Sequence, residues 1–157
     1  STAVGLITGG IACCAAGVML VVGSSSDRTG ERFLHPAVCL ALAAIGYVGA
    51  ALLADPMARV ASLALVPAGV YGFLGPFWCL PSAILRGSAA AAGIAFVNSF
   101  GNLGGLVGPY ALGALKDATG STTGALLGLA TMALAAGVLC LVLRRQAAIA
   151  LSPVLPT

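Results

Sequence analysis

The stretch PFWCLPSAILRGSAAAAGIAFVNSFGNLGGLVGPY, residues 76–110, holds a single charged side chain, Arg86. On either side of it, residues 60–85 and 87–115 contain no Asp, Glu, Lys, Arg or His. A bilayer span needs roughly 20 apolar residues, so Arg86 marks a tight link between two spans. Outward from it the pattern repeats. All eleven charged residues of the 157-residue chain, with the single His35, fall at 27–35, 55–59, 86, 116–117 and 144–145. The charge-free stretches between them are 1–26, 36–54, 60–85, 87–115 and 118–143. Five membrane spans are predicted, at about 3–23, 37–54, 58–84, 88–115 and 121–143.

Composition agrees. The chain is 60% hydrophobic and 7% charged, where a soluble domain carries about 25% charged residues. Backbone groups in lipid must bond internally, which leaves helices or closed barrels. The stretches are too long for barrel strands and lack alternation. The expected fold is therefore an all-α membrane protein with one transmembrane domain, 1–145, and a loose tail, 146–157. The opening STAVGLITGG has no basic leader, and the expectation is a fragment of a longer protein.

Five spans place the 27–35 loop, Arg86 and the tail on one side, with Arg28, Arg32, Arg86, Arg144 and Arg145. The other side has Arg59 and Lys116. The positive-inside rule makes the first side cytoplasmic and puts the N-terminus outside. The net charge of +3 then serves insertion and calls for no nucleic-acid partner. Cys13, Cys14, Cys39, Cys79 and Cys140 all fall within spans without metal-ligand spacing and read as small packing residues. Serines in the spans have no histidine partner there, so neither an enzyme, a metal nor a cofactor is expected. Pro67, Pro76 and Pro81 predict bends in the third span.

Polar residues inside the spans are the candidates for function. Asn98, Asn102, Gly105 and Pro109 follow i, i+4, i+7, i+11 and share one strip of a helix. Gly101, Gly104 and Gly108 flank it, and with Gly105 suit close helix approach. At 1.5 Å per residue, Asn98 lies roughly 15–18 Å from the Arg86 boundary, near the bilayer midplane. Trp78 lies about 12 Å deep on the preceding helix, below the usual interfacial belt. Asparagines at this depth either hydrogen-bond a neighbouring helix or, with Trp78, line a polar cavity. The run GNLGG lies mid-helix and is no dinucleotide loop, which needs a preceding strand.

Two motifs carry a resemblance. GSSSDRTGER, 23–32, resembles the cytoplasmic loop signature of the major facilitator superfamily, in the form found between helices 8 and 9, through Gly23, Asp27, Arg28, Gly30 and Arg32. Glu31 stands where the commoner copy has a basic residue. Residues 76–121 are similar to helices 10 and 11 of the anion:cation symporter branch, which includes tartrate, phthalate, hydroxyphenylacetate and sugar-acid permeases. The chain departs from close relatives at Ile11 and Ala12, where a Pro and an aromatic are frequent, and at Ser24, where a basic residue is.

The resemblance implies the C-terminal half of a carrier, helices 8 to 12, without helix 7 and the N-terminal half. It implies transport of a small organic anion by alternating access, coupled to protons, in a bacterial inner membrane. By motif position Trp78 and Asn98 would contact substrate, with Phe77 and Asn102 as weaker carry-overs. The cationic partner of the carboxylate would come from the missing half. The competing expectations are a non-transporting membrane scaffold and an inactive fragment.

Overall fold

The computed structural model describes residues 2–85 and 87–151. It contains five helices: α1 (Thr2–Thr29), α2 (Leu34–Leu52), α3 (Pro56–Ile84), α4 (Ser88–Thr119) and α5 (Thr122–Leu151). All five are long and apolar enough to cross a membrane, and there is no strand among the described residues. The protein is an integral membrane protein of the expected all-α class.

Several boundaries differ from the sequence reading: α4 runs on to Thr119, and the ends of α1 and α5 and the start of α2 shift for local reasons. The α1 helix continues through Thr29 and does not stop near residue 23. The hydroxyls of Ser24 and Thr29 donate back to the carbonyls of Val21 (3.0 Å) and Ser25 (2.9 Å), so the serine run stays helical. Arg28 in the last turn suits the negative end of the helix dipole. Gly30, at φ +67°, then ends the helix in a left-handed conformation that glycine adopts without strain. The predicted long loop shrinks to residues 30–33, and Pro36 becomes the third residue of α2, still in its first turn. The α5 helix runs past Arg145 to Leu151, so residues 146–151, expected in the loose tail, are helical. Arg86 and residues 152–157 lie outside the described residues.

The α2–α3 and α4–α5 turns follow their chemistry. Asp55 accepts a hydrogen bond from the Ala58 N–H (2.7 Å) with Pro56 at the first helical position, a standard N-cap. Gly120, at φ +64°, closes α4. The α3 helix runs unbroken through Pro67, Pro76 and Pro81, and Pro76 is fully buried.

Packing centres on α2, which lies against both α3 and α5, while α1 lies on α3. Lipid offers no hydrophobic drive for helices to associate, so close approach of small residues has to supply it. The α2 helix is built for this, with Ala37, Cys39, Ala43, Ala44, Ala50 and Ala51 buried. Its partners answer with glycine. A methyl group on Gly69 would overlap the Cys39 carbonyl oxygen and Ala43, and one on Gly72 would crowd the Cys39 Sγ. Gly46 meets the Ser62 carbonyl in the same way. Gly137 brings α5 onto Ala37 and Leu40 in ordinary van der Waals contact. The α4 helix is the exception. It touches α3 and α5 only lightly, and none of its described residues is buried.

Gly69→Val is therefore expected to lower the thermal stability of the protein in detergent, by about 1–3 kcal/mol. Gly124→Ala, where no atom lies within 4 Å of the added methyl, is expected to cause no loss.

Candidate functional site

The aromatic half of the candidate site sits on α3. Phe73 and Phe77 stack with ring centres 4.7 Å apart, and Phe77 meets Trp78 edge-on at 5.3 Å. Gly69, Gly72 and Pro76 mark the packed side of α3. At 100° per residue Trp78 leaves the helix about 120–180° away from them. The indole is half-buried and projects away from α2.

The amide half sits on α4. Asn98 and Asn102 are exposed, and neither has a hydrogen-bond partner among the described residues. The neighbouring Ser99 hydroxyl is spent on its own helix, donating to the Ala95 carbonyl at 2.9 Å. The glycines expected to pack α4 meet nothing. A methyl group at Gly101, Gly104, Gly105 or Gly108 would find no atom within 4 Å. Within the described chain close-packing glycines are instead Gly46 and Gly49 on the alanine-rich α2 and Gly69 and Gly72 on α3 facing it.

The structure brings Phe77 to α4 and leaves the asparagines on another face. A groove of about 650 Å³ between α3, α4 and α5 is lined by Phe33, Phe77, Leu80, Phe96, Val97 and Gln146, among others. Asn98 and Asn102 point about 100–180° around α4 from its lining residues Gly93, Phe96 and Val97. The groove also gathers the α1–α2 link, Leu85 and the end of α5 at one end of the bundle. Arg28, Arg32, Arg144 and Arg145 thus share an end, as the charge count requires.

The loop residues are ordered by polar contacts. Asp27 pairs with Arg32 at 2.6 Å. Both line a second groove of about 380 Å³ with Gly23, Gly75 and Cys79, between α1 and α3. Gly23 is not held by crowding, since a methyl there would meet no atom within 4 Å. Arg28 is exposed. Sequence reasoning passed over Glu31, His35 and Arg144. The Glu31 carboxylate lies 3.1 Å from the Arg144 Nε and 3.6 Å from the His35 Nδ1. The available signal was an acid three residues before a helix start, on the same side as a basic pair. Among the described residues no three His, Cys, Asp or Glu side chains gather as a metal site.

The chain is 43% identical over 128 residues, 82% of its length, to a protein of Agrobacterium vitis named as a tartrate transporter. A second such protein of that organism is 40% identical over 94% of the chain. A quinolone resistance transporter of Acinetobacter baumannii is 41% identical over 66% of it. This chain belongs to the major facilitator superfamily. It spans only 28%, 34% and 24% of the length of these three relatives. No protein-family profile and no solved structure matches the chain.

Within this major-facilitator segment the loop signature has a backbone reason at Gly30. Its φ of +67° costs a side-chain-bearing residue about 1–2 kcal/mol. Gly30→Ala is expected to lower thermal stability by about that amount, although no atom crowds the position.

Proposed function

We propose that this chain is the part of a major-facilitator carrier formed by helices 8 to 12, and that the carrier moves a small organic anion by alternating access. The observation that carries this reading is a pair of exposed amides on α4, at a level that the helix rise puts near the bilayer midplane. Asn98 and Asn102 present carboxamides with no hydrogen-bond partner among the described residues on consecutive turns of α4, and Trp78 projects from α3 away from its packed side. Unpaired amides facing hydrocarbon would be costly, so the strip faces a water-filled cavity in the complete carrier. A carboxylate and its hydroxyls suit amide donors and acceptors, with the indole as an apolar wall. The relatives named for tartrate transport support that substrate class.

The described spans hold no Asp, Glu, Lys, Arg or His at this depth, so the group that offsets the anion's charge comes from the N-terminal half. Substrate then lies between the halves and each side is exposed in turn. Proton coupling is part of the proposal, the proton carrier also residing in the other half. The chain is a carrier segment and not an enzyme. The end bearing Arg28, Arg32, Arg144 and Arg145 faces the cytoplasm by the positive-inside rule, which puts the N-terminus outside in a bacterial inner membrane.

In the carrier containing this chain, Trp78→Ala or Asn98→Ala is expected to abolish tartrate uptake while membrane insertion stays intact. Normal uptake by both variants would overturn the site. On a cysteine-free background, Asn98→Cys and Asn102→Cys are expected to react with a hydrophilic maleimide in intact membranes. Val38→Cys, on an exposed face of α2, is the lipid-facing control and should stay unlabelled.

A further inference from the structure

The cluster around Glu31 belongs neither to the substrate strip nor to the matched residues of the loop signature. Its carboxylate does two jobs with two oxygens. One oxygen accepts from the backbone N–H of Leu34, the first residue of α2. The other lies 3.1 Å from the guanidinium Nε of Arg144 on α5. The carboxylate is only 21% exposed, and its surroundings are ordered. The Glu31 carbonyl accepts from the fully buried Ser26 hydroxyl (2.6 Å) and from the His35 ring (3.1 Å). The other ring nitrogen of His35 is held by the Ser25 hydroxyl at 3.1 Å. The Glu31 side chain therefore joins the start of α2 to the distal end of α5, and its backbone carbonyl holds the end of α1.

We propose that Glu31 is a positioning residue for transport, a tie that makes α2 and α5 move as one body during the alternating-access cycle. The tie rests on the carrier reading above, although the contact itself does not. Elsewhere α5 rests on α2 through apolar packing, as where Gly137 meets Ala37 and Leu40, which resists separation more than sliding. An ion pair that also caps α2 fixes the register of the two helices at the end where the loop signature sits. Among the described residues no hydrogen bond or ion pair joins Glu31 to Trp78, Asn98 or Asn102, so its loss should change the rate of the conformational step and leave substrate affinity alone.

The variants separate the two jobs. Glu31→Gln keeps an oxygen for the Leu34 N–H and removes the ion pair. Arg144→Gln removes the pair from the other side, Arg144→Lys keeps a cation, and Glu31→Ala removes both cap and pair. Thermal stability of the purified full carrier and the kinetics of labelled tartrate uptake are the two readouts. Glu31→Gln and Arg144→Gln are each expected to lower maximal uptake roughly two- to fivefold, with KM unchanged. The double variant should be no worse than either single one, Arg144→Lys should retain most activity, and Glu31→Ala should be worst in both readouts. Single-variant losses that multiply in the double variant, a changed KM at unchanged maximal rate, or wild-type behaviour of both single variants would overturn the proposal. If the wild-type carrier takes up no tartrate, the substrate reading fails. The stability cycle then decides the tie by itself, additive losses counting against it and non-additive losses supporting it.

Discussion

Lipid removes the force that usually assembles helices, and the architecture follows from what remains. Side chains as apolar as the acyl chains gain little by leaving them, so contact depends on how closely backbones approach. In this chain that approach is concentrated on α2, whose buried alanines face glycines of α3 and α5. The result is a firm group of four helices, α1, α2, α3 and α5, with α4 resting lightly beside it. The helix with the least packing carries the unpaired amides. Polar atoms and an open glycine flank belong on a helix that meets water and a partner, and the four packed helices have no need of either.

The amide strip and the packed faces are thus complementary outcomes of one constraint. On α3 the two meet in a single helix. Gly69, Gly72 and Pro76 are committed to packing, and Trp78 leaves on the far side. A helix used this way holds an aromatic in place without any contact from the side it projects toward. The carrier is proposed to exploit exactly that division, keeping the substrate-facing side free for the other half of the protein.

Much of the fold was legible because charge is so strongly excluded from the hydrocarbon. Gaps between the charges located all five helices. The ends were harder, since hydroxyls of Ser24 and Thr29 could turn back to helix carbonyls and prolong α1 through a polar run. Charge clusters at boundaries likewise hid the continuation of α5 past Arg145. Of the candidate site, the helical strip of Asn98 and Asn102 and the sidedness of the arginines could be read from spacing. Which glycines pack could not, because a glycine stripe looks alike whether it meets a neighbour, as at Gly69, or open space, as at Gly104. The Glu31–Arg144 pair joins residues 113 positions apart, and only the tertiary arrangement of α2 and α5 brings them together.

The central claim is that the open faces of α3 and α4 hold the substrate. A structure of the complete carrier with tartrate bound tests it most directly. The account predicts the anion at mid-membrane depth, with a carboxylate or hydroxyl oxygen hydrogen-bonded to the Asn98 amide, the Trp78 indole against it and a cationic group from the N-terminal half opposite. Tartrate bound elsewhere, with Asn98 and Asn102 turned to lipid or joined to a neighbouring helix, would contradict it.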